Sequence, residues 1–136
     1  MDWMLMPLRR YADFSGRSRR KEYWMFLLLQ LILYAAVALV ALVLFSADDG
    51  NAGFGLFSGM GLILFLIIIL ALFIPTLAVT VRRFHDQDKS GWFVLLTFIP
   101  YLGGLVLIVF MCIEGTRGPN RFGPDPKGDD HSEVFA

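Results

Sequence analysis

His85, Asp86 and Asp88 stand close together in a short charged stretch, and imidazole with carboxylates is the set of side chains that moves protons or holds metal ions. A carboxylate beside an imidazole stabilises its charged form and keeps it titrating near neutral pH. Sequence neighbours converge on one point only where the backbone turns tightly. A metal site also needs three or four protein ligands. The one further histidine, His131, lies in a tail rich in Gly, Pro and Asp. No metal and no catalytic residue are expected here. The same residues are read instead as a structural polar network of Arg17, Arg20, Glu22, Arg83, His85, Asp86 and Asn120, with Asp86 paired to Arg17, Arg20 or Arg83. Cys112 is the single cysteine, so it excludes an internal disulfide and a cysteine-built zinc cluster. It has no nearby histidine to activate it. No serine sits in a Gly-rich elbow and no phosphate-cradling glycine loop is present, so the chain is expected to be neither an enzyme nor a cofactor binder.

The elements that position these residues follow from where charge is missing. The chain has 136 residues, 57% of them hydrophobic and 18% charged, with no net charge. Charged side chains are absent from 23–45, 50–81 and 90–113. A water-soluble fold would place charge every few residues on its exposed faces. The reading is therefore an all-α, small polytopic helical membrane protein with three apolar membrane segments, at about 23–45, 54–81 and 92–113. Residues 1–126 form one membrane domain, and 127–136 are expected to be a disordered tail. The first run follows a charged lead too long for a signal peptide, so it reads as a retained crossing.

Trp3, Trp24 and Trp92 are expected at the membrane interface, Trp3 in a short interfacial N-terminal segment. Ser18 and Ser90 are expected as helix N-caps. Gln30 and Tyr34 share a helix face, which should point at another helix. Gly55 and Gly59 match the small-xxx-small pattern of close helix packing. Pro75 should kink the second run, with Thr76 covering the freed carbonyl. The third run is broken at Pro100 and at Gly103-Gly104. A single kinked crossing is the expected form. The alternative is a re-entrant hairpin turning at Pro100–Gly104, which would bring Asn120 and Arg121 to the island around His85 and Asp86.

Arg17, Arg19, Arg20 and Lys21 precede the first run, the usual cytoplasmic flank of a spanning helix, and are expected to grip lipid headgroups. Asp48-Asp49 should face outward. Expected partners are membrane lipids, anionic ones included, and a second copy or another membrane protein. Nucleic acid is not expected, because the arginines abut a span. The leading function is a structural, accessory or interaction protein. The alternative is a subunit of an oligomeric small-solute transporter or channel, although the spans carry no ionisable group to bind a coupling ion.

Three stretches taken together carry a resemblance: Phe14-Ser15-Gly16-Arg17-Ser18-Arg19-Arg20-Lys21-Glu22-Tyr23-Trp24; Arg82-Arg83-Phe84-His85-Asp86 with Ser90-Gly91-Trp92; and Gly118-Pro119-Asn120-Arg121-Phe122-Gly123-Pro124-Asp125-Pro126. In this order, separated by apolar runs, the chain resembles the bacterial inner-membrane proteins of domain-of-unknown-function family 805, the YhaH-like proteins. The resemblance implies an all-helical, multi-pass protein of a bacterial inner membrane. It implies no activity, substrate or catalytic residue.

Overall fold

The computed structural model describes residues 2–46 and 53–127. The expected outer loop with Asp48-Asp49, and all but Lys127 of the tail 127–136, lie outside the described residues. Among the described residues, four α-helices and one 3-10 helix follow in order: α1 (Asp2–Arg9), α2 (Arg20–Ser46), α3 (Gly53–Asp86), the 3-10 helix (Gly91–Phe98) and α4 (Gly103–Cys112). No strand forms among the described residues. The small contact between Asn120 and Gly123 is an isolated bridge.

The two long helices coincide with the first two charge-free runs. Within them, Arg20–Val43 and Gly59–Asp86 are long and apolar enough to cross a membrane. At 1.5 Å per residue, such lengths exceed the ~30 Å hydrocarbon core. About half of their large apolar side chains are exposed, among them Leu39, Leu42, Leu62 and Leu70. In water that would be a liability, whereas lipid tails solvate such faces. The packed core sits at the charged end, where Tyr23, Phe26, Leu72, Val79, Phe84 and Met111 are buried together.

α2 and α3 are pinned halfway along by polar and aromatic contacts. Gln30 Nε2 donates to Thr76 Oγ1 at 2.5 Å, and Tyr34 meets the Phe65 ring edge-on at 5.8 Å. The shared face of Gln30 and Tyr34 therefore points at another helix, as its polarity requires. A Cβ at Gly59 would meet nothing within 4 Å among the described residues.

Pro75 lies inside α3 and removes the N–H that would bond Ala71 O. Thr76 does not fill that gap, because its hydroxyl donates to Leu72 O instead. The freed Ala71 carbonyl is taken by the Tyr11 hydroxyl, 2.5 Å away. This corrects the sequence expectation and explains what the segment after α1 is anchored to. α1 itself places Trp3 under two cations, Arg19 at 5.4 Å and Lys21 at 5.7 Å.

Neither serine caps its helix. Ser18 Oγ is buried without a hydrogen-bond partner, while the Ser18 backbone N–H donates to Arg82 O at 3.2 Å. Ser90 makes no side-chain cap.

The expected single helix over 92–113 does not form. The chain instead makes a 3-10 helix, a turn and the short α4, which packs back against the 3-10 helix. Pro100 cannot donate to a helical ladder, and Tyr101 turns the chain at φ +65°. Gly103 completes the fold-back: a Cβ there would collide with the carbonyls of Leu96 and Thr97, so the two arms approach closely only because it is absent.

Candidate functional site

Asp86, at the last residue of α3, is the centre of the charged end. Arg17, from the segment between α1 and α2, reaches it through Nε and Nη2, each 3.0 Å from Oδ1. Arg83, one turn back on α3, binds Oδ2. Arg17 and Arg83 side chains are 1% and 0% exposed and Asp86 is 7% exposed. A buried carboxylate between two guanidiniums is the arrangement in which charge pairing is worth most and is most costly to break.

The chain after α4 closes over this centre. The Thr116 N–H and hydroxyl donate to Asp86 O at 2.8 and 3.1 Å. Arg17 donates onward to Thr116 O at 2.5 Å and Gly118 O at 2.6 Å. Arg83 donates to Ile113 O. Gly115 lies so near that a Cβ would run into the Asp86 carboxylate, so only glycine fits. Gln87 Nε2 donates to Phe110 O at 2.5 Å, tying the end of α4 to the same turn.

A second ion pair lies beside the first. Arg82 Nη2 is 3.1 Å from Glu22 Oε1, with both side chains at most 3% exposed. The two groups are close enough to attract but poorly aligned: Glu22 Oε1 and both terminal nitrogens of Arg82 have no hydrogen-bond partner. Charge rather than hydrogen bonding holds this pair. Glu22 was expected in one network with Arg17, Arg83 and Asp86. The structure separates it, because Arg82 and Arg83 point about 100° apart around α3 and each takes its own carboxylate.

His85 does not pair with Asp86. Its Nδ1 lies 3.3 Å from Gly16 O, and its ring stacks on Phe122 at 3.9 Å and 4°. Gly16 presents that carbonyl from a left-handed turn at φ +76°, which glycine adopts freely. Asn120 Nδ2 donates to His85 O at 2.8 Å and to Thr116 Oγ1 at 3.0 Å. Arg121 pairs with Asp88 at 3.2 Å. Arg20 donates to Cys112 O at 3.1 Å and pairs with Glu114 at 3.3 Å.

The structure thus brings together Arg17, Arg83, His85, Asp86 and Asn120, with Arg20 at the rim. Of the basic cluster Arg17 is buried, while Arg19 and Arg20 are half-buried. Arg17 has almost no accessible surface for lipid, and Arg19 binds Pro126 O besides covering Trp3. Lys21 stays exposed over Trp3. Trp92 is 77% exposed and Trp24 37%, so both face outward. Sequence reasoning missed Arg82 as the partner of Glu22, and it missed Tyr11, Gly115 and Thr116. For Arg82 the signal was present, since adjacent helical arginines cannot share one carboxylate face. For Gly115 there was none beyond a glycine in a turn-rich stretch.

Three carboxylates outside the long helices, Asp13, Asp125 and Glu114, are held low. Hydrogen bonds from Ser15 and then Arg10 keep Asp13 well below the usual carboxylate range. The Lys127 backbone N–H lowers Asp125 most; burial opposes it, and the Gly118 N–H and the Arg17 charge add to the lowering. Hydrogen bonding and charge from Lys127, and then Arg20, lower Glu114.

Chemically, the Asp86 carboxylate is fully engaged, although Arg83 Nε beside it is buried without a hydrogen-bond partner. Both Asp86 oxygens face guanidiniums, and no group of three potential metal ligands occurs among the described residues. The arrangement binds chain to chain.

Comparison with known proteins places the chain among inner-membrane proteins. The chain is similar to inner membrane protein YhaI of Escherichia coli K12, with 46% identity over 128 residues, 93% of this chain and 97% of that protein. It is equally similar to inner membrane protein YhaH of the same strain, with 46% identity over 127 residues, 93% and 98% of the two chains. No solved structure matches. The family profile described as a protein of unknown function (DUF805) matches residues 11–124, the span from the Tyr11 anchor to the folded tail, and the chain belongs to that family of inner-membrane proteins.

Proposed function

We propose that this is a non-enzymatic accessory or interaction protein of the bacterial inner membrane. In this reading α2 and α3 cross the bilayer, the third apolar run enters and leaves by the cytoplasmic face, and the charged cap locks that arrangement. One observation carries it: Arg17, beside Asp86, donates to the carbonyls of Thr116 and Gly118. The residues before α2, at the end of α3 and after α4 then lie at one end of the molecule.

Lengths support the topology. The 3-10 helix has 8 residues and α4 has 10. At about 2.0 and 1.5 Å per residue these arms extend ~16 and ~15 Å, half of a ~30 Å hydrocarbon core. The basic residues of the lead and island make that end cytoplasmic by the positive-inside tendency. Lys21 and Trp3 are left to meet headgroups. A C-terminal fluorescent-protein fusion should be bright and a C-terminal alkaline-phosphatase fusion inactive. An active phosphatase fusion would restore three full crossings and remove this reading.

A specific feature also favours an oligomer, and with it the transporter-subunit alternative. Tyr101, at the hairpin tip, is fully exposed, and Pro100 and Leu102 beside it are exposed too. Irregular backbone at membrane depth is tolerated only against protein or water, and no described part of this chain covers it. Cross-linking through Tyr101→Cys in membranes should give a defined oligomer if copies cover the tip. Monomer alone would leave the accessory reading without self-association.

A further inference from the structure

A cleft of about 460 Å³ opens beside the cap, between the segment before α2, the end of α3 and the start of the 3-10 helix. Phe14, Trp92 and Val94 form its apolar walls, and His85 and Ser90 its polar corner. The cap uses His85 only through Nδ1 and its backbone carbonyl. The Gly16 carbonyl can only accept, so Nδ1 carries the proton. When the ring is neutral this leaves Nε2 as an acceptor, and no hydrogen bond to Nε2 occurs among the described residues. Nε2 faces Gly91, close enough that a Cβ there would sit 3.2 Å from it. Phe122 stacks on the ring and fixes its orientation. The Ser90 hydroxyl makes no cap bond either.

The lining contains no Lys, Arg, Asp or Glu. The nearby Arg121 is already paired with Asp88. A charged headgroup would therefore meet no counter-charge. An apolar pocket with a few convergent polar groups is the usual form of a small-ligand site. The geometry points to a binding site for one neutral membrane-borne amphiphile, which donates a hydroxyl to His85 Nε2 and lays an aromatic or acyl body against Phe14, Trp92 and Val94. Two sources share this chemistry: the ring of a quinol and the glycerol of a diacylglycerol.

Calorimetric titration of the full chain in detergent tests it, with decylubiquinol, dioctanoylglycerol and dioctanoyl phosphatidylglycerol as probes. One neutral probe should bind saturably with one-to-one stoichiometry, and which of the two binds identifies the source. His85→Phe keeps a ring against Phe122 and removes the acceptor, so it should weaken binding roughly three- to tenfold. Val94→Trp fills the cleft and should abolish binding. If Val94→Trp does not fold, His85→Phe still decides. Absence of saturable binding by both neutral probes, equal affinity for phosphatidylglycerol, or unchanged affinity in His85→Phe would each overturn the assignment.

Discussion

Removal of the Asp86 carboxylate tests the cap most directly. Asp86→Ala leaves Arg17 and Arg83, at 1% and 0% exposure, without their shared counter-ion. Breaking a buried ion pair from one side costs about 3–5 kcal/mol. The guanidiniums keep part of their bonding, Arg17 to Thr116 O and Gly118 O, and Arg83 to Ile113 O. The cost should therefore fall at the lower end, about 3 kcal/mol. At roughly 3–4 °C per kcal/mol for a chain of this size, the midpoint in detergent should drop by about 10 °C. The assay is tryptophan fluorescence on heating, with surviving monodisperse protein measured by size exclusion. Asp88→Ala is the matched control: it breaks the Arg121 pair, whose side chains are 59% and 47% exposed. Exposed pairs contribute about 0–1 kcal/mol, so the control should shift by only a few degrees. Equal shifts for the two variants would refute the claim that burial makes Asp86 the organising charge.

Gly115→Ala should destabilise about as much as Asp86→Ala, because the new Cβ meets the Asp86 carboxylate; protease accessibility of the Gly118–Pro126 segment reports it. Gly118→Ala has open space but a φ of +77°, so only the left-handed cost of about 1–2 kcal/mol applies. Tyr11→Phe should cost about 0.5–1.5 kcal/mol by leaving Ala71 O unbonded. That cost should vanish in a Pro75→Ala background, where an α3 N–H replaces the hydroxyl. Asp125 has a lowered folded pKa, so its contribution is full above the unfolded value near ~4 and is lost as pH falls through the folded value. Hydrogen exchange at the Gly118 and Lys127 amides, corrected for intrinsic rate, should be flat over about pH 5–7 and accelerate below ~4.

The long helices were legible because bilayer length and absence of charge are properties of the chain alone. For Asp86 the sequence left Arg17, Arg20 and Arg83 open as partners; in the structure Arg17 and Arg83 pair with it and Arg20 pairs with Glu114. The path of the third run was not legible. Pro100 and Gly103 mark a break, but both arms are equally apolar, so hydropathy cannot distinguish a chain that continues from one that returns. What decides it is the backbone after α4: Ile113, Thr116 and Gly118 offer carbonyls to two arginines. Carbonyls are present at every residue, and sequence gives no sign of which will be used. The same holds for Ala71, whose partner Tyr11 is 60 residues away.

Asp86 and its two arginines also explain why the three motif stretches act as one. A hairpin of two ~15 Å arms buries little apolar surface against its own chain, so packing alone holds it weakly. Its outer end needs a tether, and the tether must work where water competes. Carbonyls bonded to charged donors meet that need, since bonds to ionised groups are roughly twice as strong as neutral ones. The donors must in turn stay charged while buried, which requires the carboxylate at the end of α3. Remove the first or the second stretch and a buried charge loses its partner; remove the third and Arg17 loses its bond to Gly118 O. Arg17 is therefore better understood as the bolt of a closed chain than as a contact for lipid, although it sits in the run of basic residues where a lipid contact would first be sought.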